Sequence, residues 1–407
     1  MSKIKGILLG IAILAVFLSP ISGTNNWTVF QENVQHTGFL QEAGNFVSNL
    51  WIFNMESPIK SSPAIEGKVI YIISENGFLK AIDMETGNLN WEYQFGGNVL
   101  ASPVIESNKL FIGSTDGYMY SYDIDKKEIL WKFKVSKPIE STATINDGIL
   151  YFGADNGKLY ALNTNDGSKL WESQIGGKVK SSPIFVNDTI YVGSTNGLIV
   201  AINSADGNQN WNFTAGDEVL TSPAYANGKI FLGSLDGTFY CLNIADGSLA
   251  WKYDMGDKVV SSASVDLRNY NVFVGSDSGN LTCFDLRDGT FRWSYKAGGS
   301  VRSTPTIYDD KVAYGSNDGN GYVLNKYTGN LEFSYNPGMI LFNSPITSSP
   351  VVYGGSLFFA GNDGYVYALD GKKFDIPTSV FVYYIMAIAI AVFAALIALI
   401  VIIKRRN

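Results

Sequence analysis

Four charged residues, Lys60, Glu140, Lys180 and Arg302, occupy one recurring position of this sequence, each directly before a Ser-Ser-Pro-like triplet. Elsewhere the position holds Leu100, Leu220, Val260 and Thr347. The residue before it is always β-branched: Ile59, Val99, Ile139, Val179, Val219, Val259, Val301 and Ile346. A constant apolar residue beside a varied one marks a packed site next to an exposed one. The varied set is therefore where ligand chemistry belongs. Its chemistry is ionic recognition, and the alternative is a solvated rim. Covalent and metal chemistry have little material. His36 is the single histidine, which excludes His-based triads, HExxH sites and multi-histidine zinc sites. Cys241 and Cys283 are too few for a disulfide framework, a zinc knuckle or an iron–sulfur ligand set. A net charge of −7 advertises no nucleic-acid surface. No catalytic residue, cofactor site or metal site is assigned.

A second candidate is apolar. Met339, Ile340, Leu341 and Phe342 lie in a connector five residues longer than its counterparts. Four adjacent apolar residues in a loop suit a partner contact, or a plug over a channel mouth.

The elements that must position these residues are copies of one unit. Trp51, Trp91, Trp131, Trp171, Trp211, Trp251 and Trp293 recur at intervals of 40 and then 42 residues, and Phe333 takes the next slot. The triplet Ser61-Ser62-Pro63 returns, with variations, at 101, 141, 181, 221, 261, 303 and 348. Gly77, Gly117, Gly157, Gly197, Gly237, Gly279, Gly319 and Gly364 keep the same phase in hairpin-turn contexts. Each unit reads as four short strands, which is one propeller blade. Residues 99–106 read as the first strand of the second blade. The eighth unit lacks a fourth strand, and residues 50–53 are an orphan strand that supplies it. The expected fold is all-β: an eight-bladed β-propeller of four-stranded blades, its ring closed by an N-terminal strand. The tryptophans are structural and pack between blades, each worth up to about 5 kcal/mol if fully buried. Cys241 and Cys283 share a repeat position with Ala81, Ala161, Ala201 and Ala368, so both read as buried free thiols.

The segment Ala81-Ile82-Asp83-Met84-Glu85-Thr86-Gly87-Asn88-Leu89-Asn90-Trp91 resembles the pyrroloquinoline quinone (PQQ) enzyme repeat, A-x-D-x-x-T-G-x-x-x-W. Residues 161–171, 201–211 and 241–251 are similar, with Asn for Asp and Asp for Thr. Gln35-His36-Thr37-Gly38 looks like part of the leader of PQQ-like propellers. The resemblance implies a propeller over about 46–371. Its quinoprotein dehydrogenases carry a vicinal cysteine pair and inserted calcium-binding loops, neither of which is matched here. It thus implies the non-enzymatic branch.

The ends suggest a membrane protein. Lys3, Lys5 and the apolar stretch 6–18 resemble a secretory signal, assigned to 1–23. A leader covers 24–45 and a short tether 372–379. Residues 380–403 carry no charge and suit a transmembrane helix, and Lys404, Arg405 and Arg406 put the tail 404–407 in the cytoplasm. Removing these five basic residues from 30 leaves 25 against 37 acids outside. The expected molecule is a single-pass cell-membrane protein whose extracytoplasmic propeller binds or scaffolds a surface protein or glycan, and not an enzyme. A quinoprotein oxidoreductase and a structural component of the cell envelope are the alternatives.

Overall fold

The computed structural model describes residues 39–40, 48–337 and 344–370. Eight sheets are arranged blade by blade in chain order. Blade 1 is a meander of Ala64–Glu66, Val69–Ile73, Phe78–Asp83 and Leu89–Gln94. Its strands are antiparallel throughout. The short first strands of neighbouring blades pack side by side and form the inner ring. Blade 8 joins Val351–Tyr353, Ser356–Ala360 and Tyr365–Asp370 to Ser48–Asn54 from the other end of the chain. Ser48 lies opposite Asp370 and Asn54 opposite Tyr365. The eight blades and their closure by the orphan strand are as the repeat requires.

The meander gives the ring two distinct faces. Second-to-third-strand hairpins and inter-blade connectors lie on one, here the mouth face. First-to-second hairpins and third-to-fourth turns lie on the other, the exit face, where Tyr365–Asp370 also ends.

Inner strands are shorter than the sequence suggests. In blade 2 only Val104–Glu106 is strand, not 99–106. The reason is where the preceding amides bond. Ser62 N donates to Ser102 Oγ at 2.9 Å, Ser102 N to Thr142 Oγ1 at 2.9 Å, and Thr142 N to Ser182 Oγ at 3.1 Å. Ser182 and Ser222 continue the series, and Ser349 N closes it on Ser62 Oγ at 3.2 Å. Between blades 6 and 7, Ser261 Oγ donates instead to Ser303 O at 2.8 Å. The triplet's second residue is thus a belt that satisfies buried amides across blades.

The tryptophans do bridge blades. Trp171 Nε1 donates to Ser204 O at 2.8 Å in the next blade. Trp51, Trp131, Trp211 and Trp293 make the equivalent bond. Each ring also covers a turn glycine of the following blade. Burial varies around the ring: Trp51, Trp171 and Trp293 are buried, whereas Trp91, Trp131, Trp211 and Trp251 are only partly so and contribute less than the upper figure. Trp251 Nε1 has no hydrogen-bond partner among the described residues. Within a blade the tryptophan faces a small residue, Ala161 for Trp171 and Cys241 for Trp251. That explains the shared cysteine and alanine position. Both thiols are free and buried, and burial raises their pKa values.

Among the described residues no helix is long and apolar enough to cross a membrane. Residues 1–23, most of the leader, Met339, Ile340, Leu341 and Phe342, the tether, 380–403 and the tail lie outside the described residues.

Candidate functional site

The mouth is built by docking hairpins onto connectors. Glu75 N donates to Pro58 O at 2.8 Å, and Asp155 N to Pro138 O at 2.9 Å. Asp277 N donates to Lys258 O at 2.8 Å. These bonds hold three carboxylates beside the varied mouth position. Lys60 Nζ lies 3.4 Å from Glu75 Oε1. Arg302 grips Asp277 with both Nε and Nη2 at 2.7 Å, and the Asp277 side chain is only 10% exposed. That hydrogen bonding, the largest influence, outweighs burial and lifts Arg302 above its ordinary pKa. Lys180 Nζ reaches Glu140 Oε2 at 2.8 Å, tying blade 4 to blade 3. Lys178 reaches Asp155 at 3.0 Å across the same boundary.

Of the four predicted residues, only Glu140 and Lys180 touch each other. Lys60 and Arg302 sit elsewhere on the rim, each with its own acid. Sequence reasoning missed Glu75, Asp155, Asp277 and Lys178. The first three stand two residues before their hairpin glycines, where the repeat also varies: Glu75, Thr115, Asp155, Thr195, Leu235, Asp277, Asn317 and Asn362. A second varied column was the available signal. The half-exposed Lys60–Glu75 pair stabilises by only about 0–1 kcal/mol and leaves Lys60 open to a ligand, whereas the bidentate Arg302–Asp277 pair, with its carboxylate nearly buried, is held firmly.

Other acids on this face are structural. Tyr120, Tyr240, Tyr322 and Tyr367 donate to Asp116, Asp236, Asp318 and Asp363 at 2.5–2.6 Å. Burial and then this bond push Tyr322 up to about 12, and Tyr120 and Tyr367 further. For Asp236, burial raises the carboxyl, but bonds from Tyr240 and nearby amides together lower it. On the exit face Asp83 accepts from Thr86 N at 2.8 Å, closing its own turn. Asp123 and Asp285 do likewise.

The channel behind the mouth is not bare. Phe39–Leu40 pairs in parallel with the inner strand Thr306–Tyr308 of blade 7, as its fifth strand. Inner strands run from mouth to exit face, so this piece of leader descends the channel.

A quinone of the dehydrogenase kind does not fit the residues present. Cys241 and Cys283 face Trp251 and Trp293 inside separate blades. Among the described residues no three His, Cys, Asp or Glu side chains converge to hold a metal.

The comparisons with known proteins agree with this architecture. BamB from Moraxella catarrhalis superposes with a TM-score of 0.67 at 16% identity, covering 80% of this chain and 99% of that one. Quinohemoprotein alcohol dehydrogenase from Comamonas testosteroni gives 0.72 at 15%, covering 87% and 82%. The computationally designed protein Ika8 gives 0.70 at 18%, covering 78% and 97%. At such identities these likenesses show the fold alone. No curated protein sequence matches the chain. The PQQ_2 family model, described as outer membrane protein assembly factor BamB, matches residues 41–185, 155–270 and 260–373. Those spans cover the ring from the strand that closes it to the last strand of blade 8, and the chain belongs to that family of PQQ-type propeller proteins.

Proposed function

We propose that the chain is a non-enzymatic, membrane-anchored propeller that binds or scaffolds another cell-surface molecule through its mouth face. The observation that carries this reading is the blade-specific charge on the mouth. Lys60, Glu140, Lys180 and Arg302 differ where the scaffold repeats, and each is oriented by an ion pair on the rim. A partner with complementary charge exchanges the exposed Lys60–Glu75 pair at little cost, meets Arg302 without displacing it from Asp277, and is steered by the rim charges. The partner is a surface protein or glycan. Asp370, the last described residue before the proposed tether, lies on the opposite face, so a membrane anchor following it turns the mouth away from the membrane.

The test is photo-cross-linking on intact cells, with a photoreactive residue at position 60 or 302. A discrete adduct at the mouth, absent from an exit-face control at Asn208, is the expected result. Equal labelling at both faces refutes mouth recognition. Titration with PQQ and calcium provides the counter-test, because saturable quinone absorbance overturns the non-enzymatic reading.

A further inference from the structure

Exposed leucines stand at the start of the fourth strands of blades 1, 3 and 5 (Leu89, Leu170 and Leu249), and on the exit face of blades 6 to 8 large apolar residues of the hairpins and turns join the equivalent positions. Leu267 and Tyr270 lie in the first hairpin of blade 6, at 48% and 42% exposure. Phe291 opens the fourth strand of blade 6 at 49%, and Leu331 that of blade 7 at 44%. Tyr327, in the blade 7 turn, is 52% exposed. Leu50 of blade 8 is 41% exposed. In blades 2 to 5 the corresponding first hairpins hold Ser107-Asn108, Asp147-Gly148, Asn187-Asp188 and Asn227-Gly228. The blade 6 hairpin alone carries the two-residue insertion that brings Leu267 and Tyr270 to its tip.

Bonds between blades make this one surface. Lys326 Nζ meets Asp266 Oδ2 at 2.8 Å with both side chains fully buried, and it also lies 5.3 Å over the Tyr327 ring, so one ammonium links the blade 7 turn to the blade 6 hairpin. Arg287 lies 4.7 Å over the Tyr270 ring. Asp285 takes both Arg287 and Arg292, at 2.5 and 2.6 Å, and Arg292 Nη1 also donates to Asn269 O at 3.0 Å. The insertion is fastened underneath by Asn269 Nδ2, which donates to Asp266 Oδ2 at 2.7 Å. Arg287, Arg292 and Lys326 are thus paired within the patch, so covering these cations strands no charge. Asp288 and Asp309, which make no salt bridge among the described residues, lie on the same face and must stay in water at its rim.

The chain's own exit identifies the occupant. Asp370 ends the described chain on this face, in blade 8 next to blade 7. Nine residues, 371–379, then lead to the uncharged run 380–403. Fully extended, nine residues reach only about 30 Å. Tyrosine and arginine beside exposed leucine suit the boundary between headgroups and acyl chains. We propose that the exit face of blades 6 to 8 lies against the bilayer surface, with Leu267, Tyr270 and Tyr327 in the interfacial layer. This rests on the anchored reading above.

The test uses the full chain in phosphatidylcholine–phosphatidylglycerol vesicles carrying a lipid-borne nitroxide. Cys241 and Cys283 are fully buried, so a thiol-reactive fluorophore labels only an introduced cysteine. Tyr327→Cys reports the patch, and Asn208→Cys reports the exposed exit face of blade 4. The expected result is that lipid nitroxide quenches the probe at 327 at least about threefold more than at 208, as interfacial insertion demands. Adding Leu267→Glu to Tyr327→Cys lowers that quenching while co-flotation with vesicles stays unchanged. Flotation with equal quenching at 327 and 208 overturns this inference and leaves the anchor standing. Failure to float overturns both. Protection of 327 only when a second protein is added makes the patch a protein interface and likewise overturns the bilayer assignment.

Discussion

Gly207 is required twice, once by its backbone and once by its neighbour. Its φ is +75°, and a Cβ there would lie 2.8 Å from the Trp171 ring of the preceding blade. Gly228 has a similar φ of +74° but open space around it. Alanine at either position costs about 1 kcal/mol for the left-handed backbone. At 207 it also displaces the tryptophan from its seat, adding about 1–3 kcal/mol. Urea unfolding of Gly207→Ala and Gly228→Ala measures that difference, and equal losses contradict the docking role. The exception to the rule is instructive. Trp91 meets Lys127 where other blades place glycine, and Lys127 adopts φ 58°. There the ammonium lies 5.9 Å over the Trp91 ring, which in turn stacks on Tyr122 at 5.8 Å. A long cation has replaced close backbone contact as the cover for that ring.

At the scale of the element, the leader strand changes what the channel is. Phe39 and Leu40 pair with Ile307 and Tyr308, capping the inner edge of blade 7. Deleting residues 24–40 is expected to leave the ring folded but to speed amide exchange across Thr306–Tyr308. The equivalent strand Thr144–Asn146 should be unaffected. Equal exchange in both strands, with and without the leader, would sink the pairing. This strand was not legible in advance, because two residues carry no periodicity. The blades were legible because each mark has a local cause. Gly77 permits a tight turn, Trp171 needs a small residue opposite, and Asn54 to Ser48 can only complete blade 8. Lys60 and Arg302 were legible as varied positions. Their partners Glu75 and Asp277 were not, since 15 and 25 residues separate them from the mouth position until hairpins fold back onto connectors. The serine belt was visible as a repeat but not as a bond. A side chain that accepts an amide from the neighbouring blade follows from inter-blade register, which spacing along one chain does not encode.

The whole molecule is held shut by pairings between its two ends. Ser349 N donates to Ser62 Oγ across 287 residues of sequence, and Ser48–Asn54 pairs with Tyr365–Asp370 over the full length of both strands. Loop-closure entropy grows only slowly with length, so such distant contacts are affordable once the intervening blades have stacked. Their removal is a different matter. Without Ser48–Asn54, the strand Tyr365–Asp370 becomes an open edge beside the buried residues Val366, Tyr367, Ala368 and Leu369. Trp51 also disappears, and with it the ring that covers Gly87 of blade 1 and the bond to Met84 O. One deletion therefore loosens blade 8 and the boundary between blades 8 and 1 together. An unpaired edge over an apolar face recruits strands from other copies. The expected behaviour of a 48–54 deletion is a clear fall in melting temperature with dimers or larger assemblies in light scattering. A covalently equivalent permutant, with residues 48–54 moved to follow Asp370 through a short glycine linker, should restore the monomer. Closure by this strand is refuted if the deletion melts like the parent and stays monomeric, because the ring would then be held by inter-blade packing and the serine belt alone.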